Sequence, residues 1–340
     1  MGSVKDLTIL KKPEGLEEGV GNFSFSDRYS VFDWGEMPDP ISEKGSSLCM
    51  SGAHFFRKLE EAGFKTHYLG LEEDGAVKEL QDLKGPSDRM QVRIVRVVKP
   101  LSTAGVYDYS MYRQERGNFL IPLEIIYRNS LPAGSSIFKR LGKGEVRLED
   151  IGLKENPVPG QKLSSPIADV STKLEVTDRY VTWEEAKEIA ALTGRELELL
   201  KETVLEVSRI ISREVSDLGL ENMDGKIELA MDSDRNLMVV DVVGTLDECR
   251  FSYGDMAVSK EIARIYYRTT EWYAGLEEAK KADRMNWKTG LEPPDNLPDE
   301  LAKLISDIYC GYCNGVTSRE WFRTGSLQES ISQVKEILGV

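Results

Sequence analysis

Residues 226–243, KIELAMDSDRNLMVVDVV, constrain the architecture of this chain more than any other stretch. Apolar and β-branched runs at 226–230 and 237–243 flank the compact polar segment MDSDRN, the pattern of two antiparallel strands around a turn. Upstream the period lengthens: Leu200, Val204, Val207 and Ile211, in RELELLKETVLEVSRIISREVSDLG, recur every three to four residues and predict a helix burying one stripe. A core face explains that stripe more simply than a cofactor or partner surface does. Thr182 with Glu185 fits a capping box opening an earlier helix, and Gly194 is expected to interrupt the two. Strands and long amphipathic helices together give an expected fold class of α/β, of the α+β kind.

Further strands are expected at 22–33 (NFSFSDRYSVFD, with its exit loop), 90–98 (MQVRIVRVV) and 119–127 (FLIPLEIIY), where Pro122 marks an edge, entry or bulge. The polar, tyrosine-bearing stretch 99–117 between the last two predicts a hairpin or a substrate-side loop. In GAHFFRKLEEAGF, Phe55, Leu59 and Ala62 lie near one helix face and Gly63 supplies a stop. The rest of the chain is expected to be helical at 256–280, 299–312 and 326–338, interrupted by LEPPDNLP.

The 340 residues suffice for one substantial core or two moderate ones. Asp and Glu outnumber Lys and Arg by 58 to 44, a formal charge of -14, so the mean field repels polyanions and no nucleic-acid partner is expected. An anion site must then be a local pocket. No run of about eighteen apolar residues occurs, and MGSVKDLTILKKPEGLEEG carries no continuous apolar segment, so neither a membrane partner nor classical secretion is expected. Cys49, Cys249, Cys310 and Cys313 are unevenly placed and read as reduced thiols of a cytoplasmic protein. Cys310 and Cys313 have CxxC spacing, but no second pair stands nearby and His54 and His67 are the chain's two histidines, which disfavours structural zinc.

Residues two apart on a strand share a face, so Asp224, Lys226 and Glu228 can project together while Ile227 and Leu229 enter the core. The hairpin would carry Asp241, Asp247 and Arg250 to the same end. Glu228 and Asp241 are hard oxygen ligands able to share magnesium with phosphate oxygens, and Lys226 could neutralise a transferred phosphoryl group. The same row fits a surface strand with an ordinary salt bridge equally well. After the FLIPLEIIY strand, RNSLPAGSS offers the Arg128 fork and the hydroxyls and amides around Ser135 as an anion cradle, or else an ordinary loop with a solvated arginine. Lys260 and Arg264, four residues apart, can face one anion or simply form a solvated face.

Several blocks, in order, resemble the SAICAR synthetase family. SDRYSVFD resembles its TDR-x-SAFD element, and PISEKGSSLCMSGAHFFRKLEEAGFKTHYLG its IxxKG, helix and GxxTH progression. IPLEIIYRNSLPAGSS, STKLEVTDRYVTWEEA, MDGKIELA, VVDVVGTLDECRF and SKEIAR are similar to later blocks. The resemblance implies a two-lobed fold with antiparallel sheets and an ATP-grasp-like nucleotide cleft: a nucleotide-binding lobe over 1–98, and a substrate and metal domain over 99–340. It implies an ATP- and Mg2+-dependent ligase that condenses carboxyaminoimidazole ribonucleotide with L-aspartate through an acyl phosphate.

By the same resemblance, Lys226 would contact nucleotide phosphate, and Glu228 and Asp241 would hold the metal and the nucleotide. Asp247 would orient the imidazole-side substrate, as a catalytic residue beside Lys226. Arg128, Ser135 and Arg250 would take the ribonucleotide phosphate. Lys260 and Arg264 would contact nearby anions, and Asp33 and Lys44 would lie around the substrate cleft. The partners implied are small-molecule carboxylate and amine substrates; a homo-oligomer is compatible with the amphipathic helices.

Three departures qualify this. The family's GK-x-K/R-x-x-Y start is not reproduced by Lys11 and Lys12. DVVGTLDECR stands where DE-x-x-TPDS-x-R is usual, so Val242 replaces a carboxylate, Leu246 a proline and Glu248 a serine. The added Glu248 would repel an anionic substrate unless protonated or paired. The 99–117 segment also exceeds the corresponding family connection. These positions leave open a related carboxylate–amine ligase with a changed substrate, or a noncatalytic nucleotide-binding regulatory protein.

Overall fold

The computed structural model describes residues 4–283 and 286–339, so the first three residues of the amino-terminal stretch considered above lie outside it. Its first sheet is five-stranded and antiparallel, built from β1 (Lys5–Lys11), β2 (Gly19–Phe25), β3 (Tyr68–Glu73), β4 (Ala76–Lys78) and β5 (Arg89–Ile94), in the order β1-β2-β5-β3-β4. Helix α1 (Lys44–Glu61) joins its strands. The segment expected as a hairpin or loop at 99–117 contains the small hairpin β6 (Leu101–Thr103) and β7 (Val106–Asp108).

The second sheet uses β8 (Phe119–Leu131), β9 (Gln161–Thr172), β10 (Glu221–Met231), β11 (Leu237–Val240), β12 (Cys249–Tyr253) and β13 (Met256–Val258). Its order is β13-β12-β10-β8-β9, with β11 also paired to β10. Helices α2 (Ser136–Lys143), α3 (Trp183–Ile189) and α4 (Gly194–Ser216) precede β10; α5 (Glu261–Tyr267), α6 (Glu271–Ala282), α7 (Asp299–Thr317) and α8 (Leu327–Leu338) follow β13.

The predicted hairpin is present: Glu228 pairs with Val240 and Met231 with Leu237 around the turn. Leu200, Val204, Val207 and Ile211 of α4 are buried in the main core together with Ile227 and Leu229 of β10. The two sheets meet through backbone hydrogen bonds: His67 N–H donates to the Val239 carbonyl at 3.0 Å, and Val239 N–H to the Lys65 carbonyl at 2.9 Å. One continuous apolar core runs under both, and the groove where they face one another carries most of the buried charge between them.

Several element boundaries differ from the sequence expectation. The short strand expected over 22–33 begins earlier, at Gly19, and ends at Phe25; its expected exit loop follows, with positive φ at Phe32 and Asp33. Helix α1 begins at Lys44, eight residues before the periodic stretch, because Gly45, Ser47, Leu48, Cys49, Met50, Ser51 and Gly52 are all buried and leave no polar face to mark the period. The break before α4 is made by Thr193, not Gly194: Thr193 and Glu196 close a full capping box, and Gly194 is the first helical residue. The expected helix over 256–280 opens instead as strand β13, paired to β12 around Gly254, and divides again where Thr270 caps α6. No helix among the described residues is long and apolar enough to cross a membrane.

Candidate active site

Between the sheets lies a cavity of about 640 Å³, whose apolar wall is Leu7 and Phe23 and whose floor is charged. Strand register builds that floor. Glu228 sits opposite Glu124 of β8 on one side and Val240 of β11 on the other, and Asp241 is the first residue beyond β11. Asp241 holds φ at +66°, a left-handed backbone that aspartate tolerates better than most residues. Lys226 Nζ lies 3.1 Å from Glu124, 3.5 Å from Glu228 and 3.6 Å from Glu248. Lys173 pairs with Glu228 and stands 3.3 Å from Glu124, while Lys5 meets Asp241 at 2.5 Å.

Burial and the neighbouring Asp241 push the Glu228 carboxyl up, against the pull of Lys173 and Lys226. Burial acts on Asp241 in the same sense, but the Lys5 charge and hydrogen bond outweigh it and hold that carboxyl low. A proton entering the pair therefore goes to Glu228 first. Burial works against the charge on Lys226, yet Glu248, Glu124 and Glu228 more than compensate and keep it an ammonium. The cavity is a lattice of ammonium and carboxylate groups set to exchange partners with an incoming anion and cation.

Asp178, near this network, is pushed up to about 6 by the surrounding protein and then by Glu124. A raised carboxyl favours the protonated fold, so its contribution is intact below about pH 4 and is lost as pH rises through 6. Asp178 is exposed, and water screens the effect. Asp178→Asn is expected to stabilise the protein by ~1 kcal/mol at pH 8 and to change nothing at pH 3.5, measured by urea unfolding at both.

Of the residues singled out from sequence, Lys226, Glu228, Asp241, Asp247 and Lys260 line this one cavity. Lys44 stands behind it, buried, with Nζ 2.7 Å from Asp247. The row Asp224, Lys226, Glu228 does not act as a unit. Asp224 lies opposite Arg128 in the regular β8 register and, just past a bulge at Asn222, opposite Arg250 of β12, and it pairs with both rather than with the cavity cations. Arg128 is 1% exposed, 3.0 Å from Asp169 and 3.3 Å from the Ser135 hydroxyl, which also caps α2. Arg250 lines a second cavity, of about 650 Å³, with Gly134, Lys162 and Arg268, and so stands apart from Asp241 and Asp247. Arg264 is paired to Glu261 at 3.0 Å, and Asp33, 94% exposed, points into solvent near Lys280. Lys260 makes no ion pair among the described residues.

Sequence reasoning missed Lys5, Lys173 and Glu124. Lys11 pairs with Glu17 at the surface, whereas Lys5 enters the cavity. The signal was present: Gly2-Ser3-Val4-Lys5 keeps the glycine and the fourth-position cation of GK-x-K/R. The departures in DVVGTLDECR also have structural accounts, since Val242 and Leu246 are core residues and Glu248 is paired with Lys226.

A charged groove between two antiparallel sheets, walled on one side by apolar residues, is the binding cleft of an α/β protein suited to an anionic ligand with an apolar face. The SAICAR synthetase family model matches residues 16–278, and the chain belongs to that family. An Archaeoglobus fulgidus protein provisionally named a phosphoribosylaminoimidazole-succinocarboxamide synthase is 53% identical, over 99% of this chain and 100% of its own length. The Thermoplasma volcanium phosphoribosylaminoimidazole-succinocarboxamide synthase is 35% identical, over 94% and 100%. In fold, the chain is similar to the Saccharomyces cerevisiae SAICAR synthase complexed with SAICAR (TM-score 0.64, 19% identity, 94% of each chain). It is also similar to a type-2 SAICAR synthetase in complex with ADP (TM-score 0.57, 21% identity, 87% of this chain and 99% of the other).

Proposed function

We propose that this protein condenses carboxyaminoimidazole ribonucleotide with L-aspartate, consuming ATP, in the cavity between the sheets. The observation that carries this reading is the meeting of Lys226, Lys173 and Lys5 with Glu228 and Asp241 on one cavity floor. The lysines can transfer their attraction to nucleotide phosphates, which releases the two carboxylates. Glu228 and Asp241 then fit Mg2+, which is usually held by one or two carboxylates with substrate phosphates and water. Mg2+ would neutralise charge on the phosphates.

Lys226 would hold the transferred phosphoryl group in line with the substrate carboxylate and offset its growing charge. The substrate carboxylate oxygen takes the γ-phosphoryl group and ADP leaves, giving an acyl phosphate; the neutral aspartate amine then attacks its carbonyl carbon, the C–N bond forms, the C–O bond to phosphate breaks, and phosphate and the amine's proton leave. Asp247 would orient the imidazole-side substrate, and Lys260, as an unpaired cation on the same wall, would meet a substrate carboxylate. Leu7 and Phe23 suit the flat apolar face of a nucleobase.

In a coupled assay with ATP, Mg2+, the ribonucleotide and aspartate, stoichiometric ADP and succinocarboxamide product are expected, with activity abolished by excess chelator and restored by Mg2+. Glu248 beside Lys226 supports a second reading, a ligase of the same type with an altered amine or carboxylate substrate. ADP formation with another amine or carboxylate, but not with aspartate and the ribonucleotide, would favour that one.

A further inference from the structure

Asp247 is held by groups from opposite ends of the chain. Lys44, at the start of α1, places Nζ 2.7 Å from Oδ2, and the Tyr309 hydroxyl, from α7, donates to Oδ1 at 2.6 Å. The Lys44 ammonium also lies over the Tyr309 ring, 5.4 Å from its centroid. Helix α7 grips the same loop a second time: the Tyr312 hydroxyl donates to the Gly244 carbonyl, and its ring stacks on Phe251 with centroids 5.6 Å apart. Gly244 takes φ +73°, and a Cβ there would fall 2.3 Å from the Phe55 ring, so the loop is wedged between α1 and α7. Helix α7 lies beyond residue 278, where the family model's match ends.

We infer that Tyr309 is a positioning residue of the active site, fixing the Asp247 carboxylate in the one orientation that receives the imidazole-side substrate. This rests on the proposed reaction. The carboxylate torsion of aspartate is broad and roughly two-fold, so a single lysine on one oxygen leaves the other free to swing. With both oxygens held from behind, the remaining lone pairs point outward. Burial, and then the Asp247 charge, push the Tyr309 phenol well up, so it remains a donor. The charged groups around Asp247 are Lys44 from α1, which is on Oδ2, and Lys260 from the segment before α5, and Tyr309 is the hydrogen-bond donor found on Oδ1 among the described residues.

Tyr309→Phe keeps the ring and removes one O–H. In the coupled assay it is expected to lower kcat about tenfold, the scale of a hydrogen bond to a charged group, with the KM for ATP nearly unchanged and the melting temperature lowered by only a few degrees, since one buried carboxylate oxygen loses its donor. In an Asp247→Asn background the same change should have almost no further effect, because both act through one carboxylate. An active wild-type enzyme whose Tyr309→Phe variant retains full kcat, or whose two losses simply multiply, overturns the positioning role and leaves the reaction standing. A wild-type protein that turns over neither substrate pair removes the reaction, and the positioning role with it.

Discussion

Lys226→Met is expected to lower kcat/KM by about a hundredfold to a thousandfold, ~3–4 kcal/mol of transition-state stabilisation, the range seen when one preorganised electrostatic partner is removed from a reacting centre. The side chain keeps its length and apolar stem, so what is lost is charge. Three carboxylates, on Glu124, Glu228 and Glu248, lie within 3.6 Å of its ammonium. With it gone, Lys173 alone faces Glu124 and Glu228, and an incoming polyphosphate meets excess negative charge. The fold should survive, because the Lys226 side chain is one-third exposed and the strand is held by its ladder on both sides. Circular dichroism and unfolding should match the wild type within ~2 kcal/mol. Lys226→Arg should recover only part of the rate, since a planar fork places its charge differently. Near-normal turnover in Lys226→Met would remove the lysine from the chemistry.

The second large effect is on stability. Arg128→Met is expected to cost about 3 kcal/mol in urea unfolding, near the lower end for breaking a buried ion pair. Arg128 is 1% exposed and stands between Asp169 and Asp224, at 3.0 and 3.5 Å. Its removal leaves Arg140, 2.5 Å from Asp169, and Arg250, paired with Asp224, as the remaining cations. Those two keep the cost from reaching the upper end. Arg250→Met, removing a cation 23% exposed, should destabilise less. Unchanged stability in Arg128→Met, with affinity for the ribonucleotide lost, would show that Arg128 serves the ligand and not the fold.

The legible parts of this molecule were those whose pattern is local. MDSDRN between two apolar runs read as the turn of a hairpin, and the α4 stripe declared its buried face. The start of α1 was illegible because it is surrounded: helix α7 and the first sheet cover it, so Ser47, Ser51 and Gly52 are buried beside Leu48. Strand β13 escaped because three residues, leading straight into α5, carry no period of their own. At the site, the alternation of Asp224, Lys226 and Glu228 was visible, but not that the neighbouring strands set arginines, Arg128 of β8 and Arg250 of β12, opposite Asp224 alone.

The sequence by itself determined the central hairpin, the α4 helix, the family and the nearness of a lysine and two carboxylates on and beside neighbouring strands, since these follow from side-chain period and from ordered blocks of residues. The tertiary structure alone decided which charge meets which. Ion pairing falls off over a few ångströms, while Lys5 and Asp241, Lys44 and Asp247, and Asp247 and Tyr309 are far apart along the chain. Only strand register and the docking of α7 against α1 bring those atoms within reach of one another.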